Sequence, residues 1–332
     1  MSDYSHYHTI LKVSAGVLLA AGVCGCRHKD MYMEVDEPVK VRVVFDWRNA
    51  PDADPQSMAL YLYPVEGGKP LRYIFSGREG GEIHLPFGQY HAICINADNT
   101  DWAMLKDMDD PQSASVNVSE LSSVSPLRSL VDVVKAHPEF VDGNDNVMDL
   151  PHSTWTTGML GFDARYDGTD KTLVLCPSDP LCYYTVDIYD VEGLEQREEI
   201  SLTATLSNMS DGVYIFSGNT ITKGHALPFI LQKGDSSRSL HGEFVTFGEN
   251  SEVGFTHHLT LYTQTRKATR DGESEGLVIQ TKDVSDQVHG AADPHNVHIV
   301  IHGASVPEPS KTGGGLTVDV NGWESEYHEM KM

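Results

Sequence analysis

The chain of 332 residues carries 48 Asp and Glu against 24 Lys and Arg, a formal net charge of −24. That balance excludes a protein that grips nucleic acid or anionic lipid through clustered basic side chains. Hydrophobic residues make up 40% of the chain, enough for packed cores, and at roughly 100–200 residues per domain the length suggests two of them.

Residues 13–23, Val-Ser-Ala-Gly-Val-Leu-Leu-Ala-Ala-Gly-Val, are uncharged and follow Lys12. The run is too short for a bilayer span of about 20 residues, but it has the length of a signal-peptide apolar region. Val23-Cys24-Gly25-Cys26 comes next and resembles a bacterial lipobox. Cys26, behind the small Gly25, is expected to carry palmitate-type acyl chains; Cys24, behind the bulkier Val23, fits less well. Such chains attach a protein firmly, since each buried CH₂ contributes about 0.8 kcal/mol. Residues 1–25 therefore read as a signal peptide and 26–38 as a lipidated linker, leaving a mature chain of 332 − 25 = 307 residues.

From residue 39 the 29 glycines, set between short apolar runs, predict a turn-rich β protein. In 39–47 the residues Val39, Val41, Val43, Phe45 and Trp47 alternate with Lys40, Arg42 and Asp46, the period of a half-buried strand. A turn-rich loop to Pro55 leads to a second strand, 58–63, ended by Pro64 and Gly67-Gly68. Further strands are expected at 82–85 and 89–96. Residues 98–120 read as acidic and irregular. Leu127, Leu130, Val131 and Val134 stand at helical spacing, which predicts a short helix. Residues 136–150 read as a linker.

The later sequence repeats the β pattern, with strands expected at 172–176, 183–189, 200–206, 213–217, 229–232, 242–247, 258–263, 276–281 and 297–302. Residues 306–332 lose the pattern around Gly313-Gly314-Gly315 and read as a surface tail. The expected fold is all-β, two consecutive Greek-key β-sandwiches over 39–150 and 151–305 with one short helix. No repeat of fixed period is visible in the sequence.

Several ordered segments carry a family resemblance. They are Val41–Trp47, Asn49-Ala50-Pro51, Met58–Pro64, Leu85-Pro86-Phe87-Gly88, Asn96–Thr100, Leu227-Pro228-Phe229, Gly242–Gly248, Asp286–His289 and Asp293–Val300. Together they resemble a family of Bacteroidales lipoproteins, domain-of-unknown-function family 5119, related to fimbrillin-like and FimB/Mfa-type fimbrial subunits. The resemblance implies a signal peptide, lipidation and two transthyretin-like sandwiches. It implies an outer-membrane, surface-exposed protein held by its N-terminal lipid. It also implies partnership with other fimbrial subunits by strand exchange, in which a protease cuts after the first strand. Arg48 is the residue placed for such a cut, and an ordinary exposed loop arginine is the alternative. A missing strand leaves unpaired backbone groups and an empty apolar slot that another strand can fill.

The sequence shows no nucleophile elbow, no Cys/His signature and no glycine-rich phosphate loop, so the chain reads as a non-enzyme with no cofactor and no metal. Cys176 and Cys182 bracket a short loop that either closes as a disulfide in an oxidising envelope or carries two free thiols. A zinc pair lacks a second pair of ligands. Cys94 reads as a strand residue. His298 and His302 lie about 13 Å apart along a strand, too far for one zinc, and read as solvent-facing. Asp142–Asn146 lacks the glycine and glutamate of a calcium loop and reads as a local turn. Asp98, Asp101, Asp107, Asp109 and Asp110 form an acidic cluster. Tyr61, Tyr63, Tyr73, Trp102 and Trp155 suggest a stacking platform for a host or dietary glycan, the alternative role being a glycan-binding lipoprotein for nutrient capture; strand packing is the other reading of these aromatics.

Overall fold

A computed structural model describes residues 38–98, 103–121, 147–165, 168–195, 201–222, 224–250, 255–269, 272–307 and 324–329. The first strand, β1 (Val39–Phe45), has the alternation its sequence predicts: Val39, Val41, Val43 and Phe45 are buried and the residues between them face outward. The strand ends where the chain turns into a single 3-10 turn at Trp47–Asn49.

β2 (Ser57–Pro64), β3 (Leu71–Ser76), β4 (Gly80–Leu85), β5 (Gln89–Asn96), β6 (Ala103–Lys106), β7 (Ser115–Val118), β8 (Thr156–Asp163) and β9 (Lys171–Leu175) follow. β1 lies between β4, antiparallel, and β9, parallel, and the facing sheet runs β3-β2-β5-β8. Val41, Val43, Phe45, Leu60, Leu62, Cys94, Leu173 and Leu175 meet in the core between the two sheets. Gly80, at φ +90°, is where β4 approaches β1 most closely; a Cβ there would sit 2.3 Å from the Val43 carbonyl oxygen, so only glycine fits.

The remaining elements are β10 (Cys182–Tyr189), β11 (Ser201–Ser210), β12 (Gly212–Tyr214), β13 (Gly224–Lys233), β14 (Leu240–Thr246), β15 (His258–Thr269), β16 (Gly272–Asp283), α1 (Ser285–His289), β17 (Asn296–His302) and β18 (Glu324–Glu329). Their pairing repeats the first set strand for strand. β10 lies between an antiparallel β14 and a parallel β17, as β1 lies between β4 and β9. The order β13-β11-β15-β16 corresponds to β3-β2-β5-β8. The chain is therefore two consecutive β-sandwich units of one topology, although no sequence repeat announces it.

The units differ in two ways. In the second, β13 and β14 stay paired at Gln232–His241 and Lys233–Leu240, which joins its strands, with β18, into one sheet of eight. The second core is also richer in stacked aromatics: the Phe229 and Phe244 rings lie 4.3 Å apart and Tyr184 and Phe244 5.3 Å.

The two cores share a wall. On β2, Met58, Leu60 and Leu62 face the first core while Ala59, Tyr61 and Tyr63 face the second; on β5, Ala92 and Cys94 oppose Ile93 and Ile95. β2 is buried on both faces, which explains why its sequence is an apolar run rather than an alternation. A small sheet, β12-β7-β6, joins an insertion from each unit. Gly158 of β8 lies so close to Phe216 that a Cβ would meet its ring at 2.3 Å.

Several expectations need correction. β8 and β9, assigned to the second half by a boundary at 150, pair with β5 and β1, so the first unit runs to Leu175. The stretch 98–120 holds β6 and β7. The expected tail, 306–332, holds β18, which pairs with β16. The helix expected at 127–134 lies outside the described residues.

Candidate functional site

The junction between β1 and β2 is the candidate site. Trp47 anchors it from below: its indole Nε1 donates to the Arg78 carbonyl at 2.8 Å, the Arg78 guanidinium lies 5.2 Å over its ring, and Trp155 meets it edge-on at 6.1 Å. Arg48 stands on the opposite, solvent side, with 70% of its side chain exposed. Asp46 caps the turn: its carboxylate accepts from the Arg48 amide at 3.1 Å and from Arg48 Nε at 2.8 Å, and it pairs with Nη2 as well. The hydrogen bonds from Arg48 hold the Asp46 carboxyl below its usual range. This exposed pair contributes little to stability, but it orients the Arg48 side chain.

β1 itself is held by two ladders, six register pairs with β4 and five with β9. Its apolar face fills a slot walled by Leu60, Phe75, Ile83, Leu85, Leu173 and Leu175. Burial of its four apolar side chains stabilises it by about 6–12 kcal/mol. A cut at Arg48 would leave β1 joined to the body by these non-covalent contacts, and a replacement strand would meet the same slot and the same unpaired ladders.

Cys24 and Cys26 lie outside the described residues. Cys94, Cys176 and Cys182 are all free thiols, so the Cys176–Cys182 loop is not closed by a disulfide. Cys182 is buried on β10 with Sγ 3.7 Å from His295 Nδ1, and burial pushes its thiol up to about 12, out of the reactive range.

The proposed glycan platform is dispersed. Tyr61 and Tyr63 are buried facing the second core, while Tyr73 and Trp155 pack against the first; Trp102 lies outside the described residues. In the described part of the acidic cluster Asp110 caps a local turn, accepting from Ser113 Oγ at 2.9 Å, and Asp98 accepts from Ser57 Oγ of β2 at 3.1 Å. Asp101 and the 142–146 loop are not among the described residues. His298 and His302 face solvent as expected. His298 bonds Asp187 at 2.7 Å and His302 bonds Asp190 at 2.8 Å.

The fold also gathers residues that the sequence did not single out. Glu249, His257 and His289 bring one ligand-type atom each to within 4.8 Å of one another. They stand 8 and 32 positions apart in the chain, with no motif spacing to mark them. Among the described residues no helix is long and apolar enough to cross a membrane.

A family profile, that of the domain of unknown function DUF5119, matches residues 25–229. No curated protein matches the chain. Among solved structures, a candidate adhesin from Bacteroides ovatus is 17% identical, with 86% of this chain and 98% of that chain covered and a TM-score of 0.56; the likeness shows a common fold. The fimbrial anchor protein Mfa2 from Porphyromonas gingivalis follows at 13% identity, with 86% and 98% covered and a TM-score of 0.48.

Proposed function

Because the chain belongs to the DUF5119 family, we propose that it is a lipid-anchored, fimbrillin-like protein of the cell surface, acting in fimbrial assembly or anchoring or in cell adhesion. The lipobox-like Val23–Cys26 segment supports attachment to the outer membrane through Cys26. The common fold with the candidate adhesin of Bacteroides ovatus supports an adhesive or fimbrial setting. The observation that carries the reading is the place of β1. It is the first described strand after the lipobox-like sequence, it completes the first core, and Arg48 follows it at the surface. This arrangement suits a subunit that keeps its own strand as an anchor or tip, or yields it to a neighbour as a stalk.

The test uses intact cells carrying wild type, Cys26→Ala or Arg48→Ala, treated with an Arg/Lys-specific protease. Detergent-phase partition is followed by denaturing gels of unheated and boiled samples. Wild type is expected in the detergent phase and Cys26→Ala in the aqueous phase. A high-mass ladder that collapses on boiling and is missing in Arg48→Ala assigns the stalk role; one full-length band assigns an anchor or tip. Aqueous partition of both wild type and Cys26→Ala would overturn lipid anchoring.

A further inference from the structure

In the second unit three segments converge. Glu249 lies in the connection after β14, His257 immediately precedes β15, and His289 closes α1. His257 is fully buried. Its Nδ1 lies 3.0 Å from the Ser207 carbonyl oxygen. A carbonyl can only accept, so Nδ1 carries the proton and Nε2 presents a bare lone pair. That lone pair has no hydrogen-bond partner among the described residues, and neither does Glu249 Oε2, toward which it points at 3.4 Å. His289 Nε2 reaches the same oxygen at 3.3 Å. Two acceptors aimed at each other inside a protein repel, unless a cation stands between them.

The separations fit a metal. Bonds of 2.0–2.1 Å to zinc in tetrahedral geometry place neighbouring ligand atoms about 3.3–3.4 Å apart. The carboxylate oxygen stands at that distance from both imidazole nitrogens. The Ser207 carbonyl that fixes the His257 tautomer is the outer partner that zinc-binding histidines usually have. Two imidazoles and one carboxylate suit zinc, whereas calcium and magnesium prefer all-oxygen sets.

We propose that Glu249, His257 and His289 bind one zinc ion, with the fourth position open to solvent. The ion ties the β14–β15 connection and α1 to the base of β15. Glu249 and His289 are partly exposed, with 34% and 46% of their side chains accessible, so the ion can enter without the core opening. The site is independent of the role proposed for β1.

The test is a zinc titration of the purified full chain after chelator treatment, with calcium and magnesium as controls. One zinc per chain is expected, with neither control ion competing. Saturating zinc should raise Tm by roughly 5 °C at 100 times Kd. His257→Ala removes a buried side chain and can unfold the region, so the decisive variants are His289→Ala and Glu249→Gln. Each is expected to fold without metal as wild type does and to bind zinc about 100-fold more weakly or worse. Cobalt in the site should give the strong visible bands of tetrahedral coordination, lost in His289→Ala. The proposal is overturned if zinc affinity is unchanged in both variants. It is equally overturned if His298→Ala, at the separate Asp187 cluster, abolishes binding instead.

Discussion

The two units share a strand order but close it differently. In the second, β13 passes into β14 with their ladder intact, so its sandwich strands, with β18, belong to one hydrogen-bonded sheet. In the first, the equivalent β3 and β4 belong to separate sheets, and β4-β1-β9 stands as a sheet of three. Removing β10 would sever a continuous eight-stranded sheet. Removing β1 would separate β4 from β9 and leave β3-β2-β5-β8 whole. Loss of one strand would thus break less backbone pairing in the first unit, where β1 is also followed by an exposed arginine. The second unit instead stiffens the body, through stacked aromatics and a wall shared with the first.

The largest test of that division is at the shared wall. Ile93 is fully buried on β5 and faces the second core from the first unit. Ile93→Asp places an unpaired charge there and is expected to cost more than about 4 kcal/mol, unfolding both units together in calorimetry. A variant that melts in two well-separated steps would show the units to be energetically independent. Next, Val41→Ala in β1 and Val186→Ala in β10 each remove fully buried methyl groups, at about 2 kcal/mol apiece in denaturant titrations. Only Val41→Ala should speed proteolysis after Arg48, by about tenfold or more, because only β1 can open locally. Equal acceleration by Val186→Ala would break the comparison. Gly80→Ala should cost about 1–3 kcal/mol, since φ +90° and the Val43 carbonyl both oppose a Cβ; a neutral result would mean that β4 shifts freely against β1.

The smallest effect is a pH dependence confined to the second unit. Asp187 accepts from His241 at 2.8 Å and from His298 at 2.7 Å. The hydrogen bond to Asp187 raises the His241 pKa above its ordinary value. Burial pushes the Asp187 carboxyl up, but the two histidines outweigh it and hold it lower than usual. The His241 contribution is therefore complete below about pH 6.5 and is lost as pH rises through its raised pKa. Asp187 contributes above its unfolded value and loses that contribution in acid. Both groups are partly exposed, so the change should stay under about 1 kcal/mol. His241→Gln should flatten the alkaline side of that profile; an unchanged slope would assign it elsewhere.

Where strands are half-buried, their sequence was legible: β1, β10 and β17 alternate as their faces require. The apolar runs of β2 and β5 were legible too, but several other strands were not. β8 carries two glycines, β6 and β7 have four residues each, and β18 is Glu-Ser-Glu-Tyr-His-Glu, too polar or too short for periodicity to register. The two sandwiches were expected, but their matching strand order left no repeat of fixed period, because strand order is set by pairing and burial, which many sequences satisfy. Arg48 was singled out by the family resemblance, as the arginine after the first expected strand. Glu249, His257 and His289 could not be marked from sequence, since only the packing of α1 against the base of β15 makes them neighbours.

The position of β1 also decides how the body would bear a load. A load applied along β1 would meet β4 on one side and β9 on the other. Force in that direction shears both ladders at once instead of peeling one bond after another. The strand would then yield at a rate set by its unfolding barrier and not by equilibrium stability, which makes the first described strand a mechanical clamp on the core it completes.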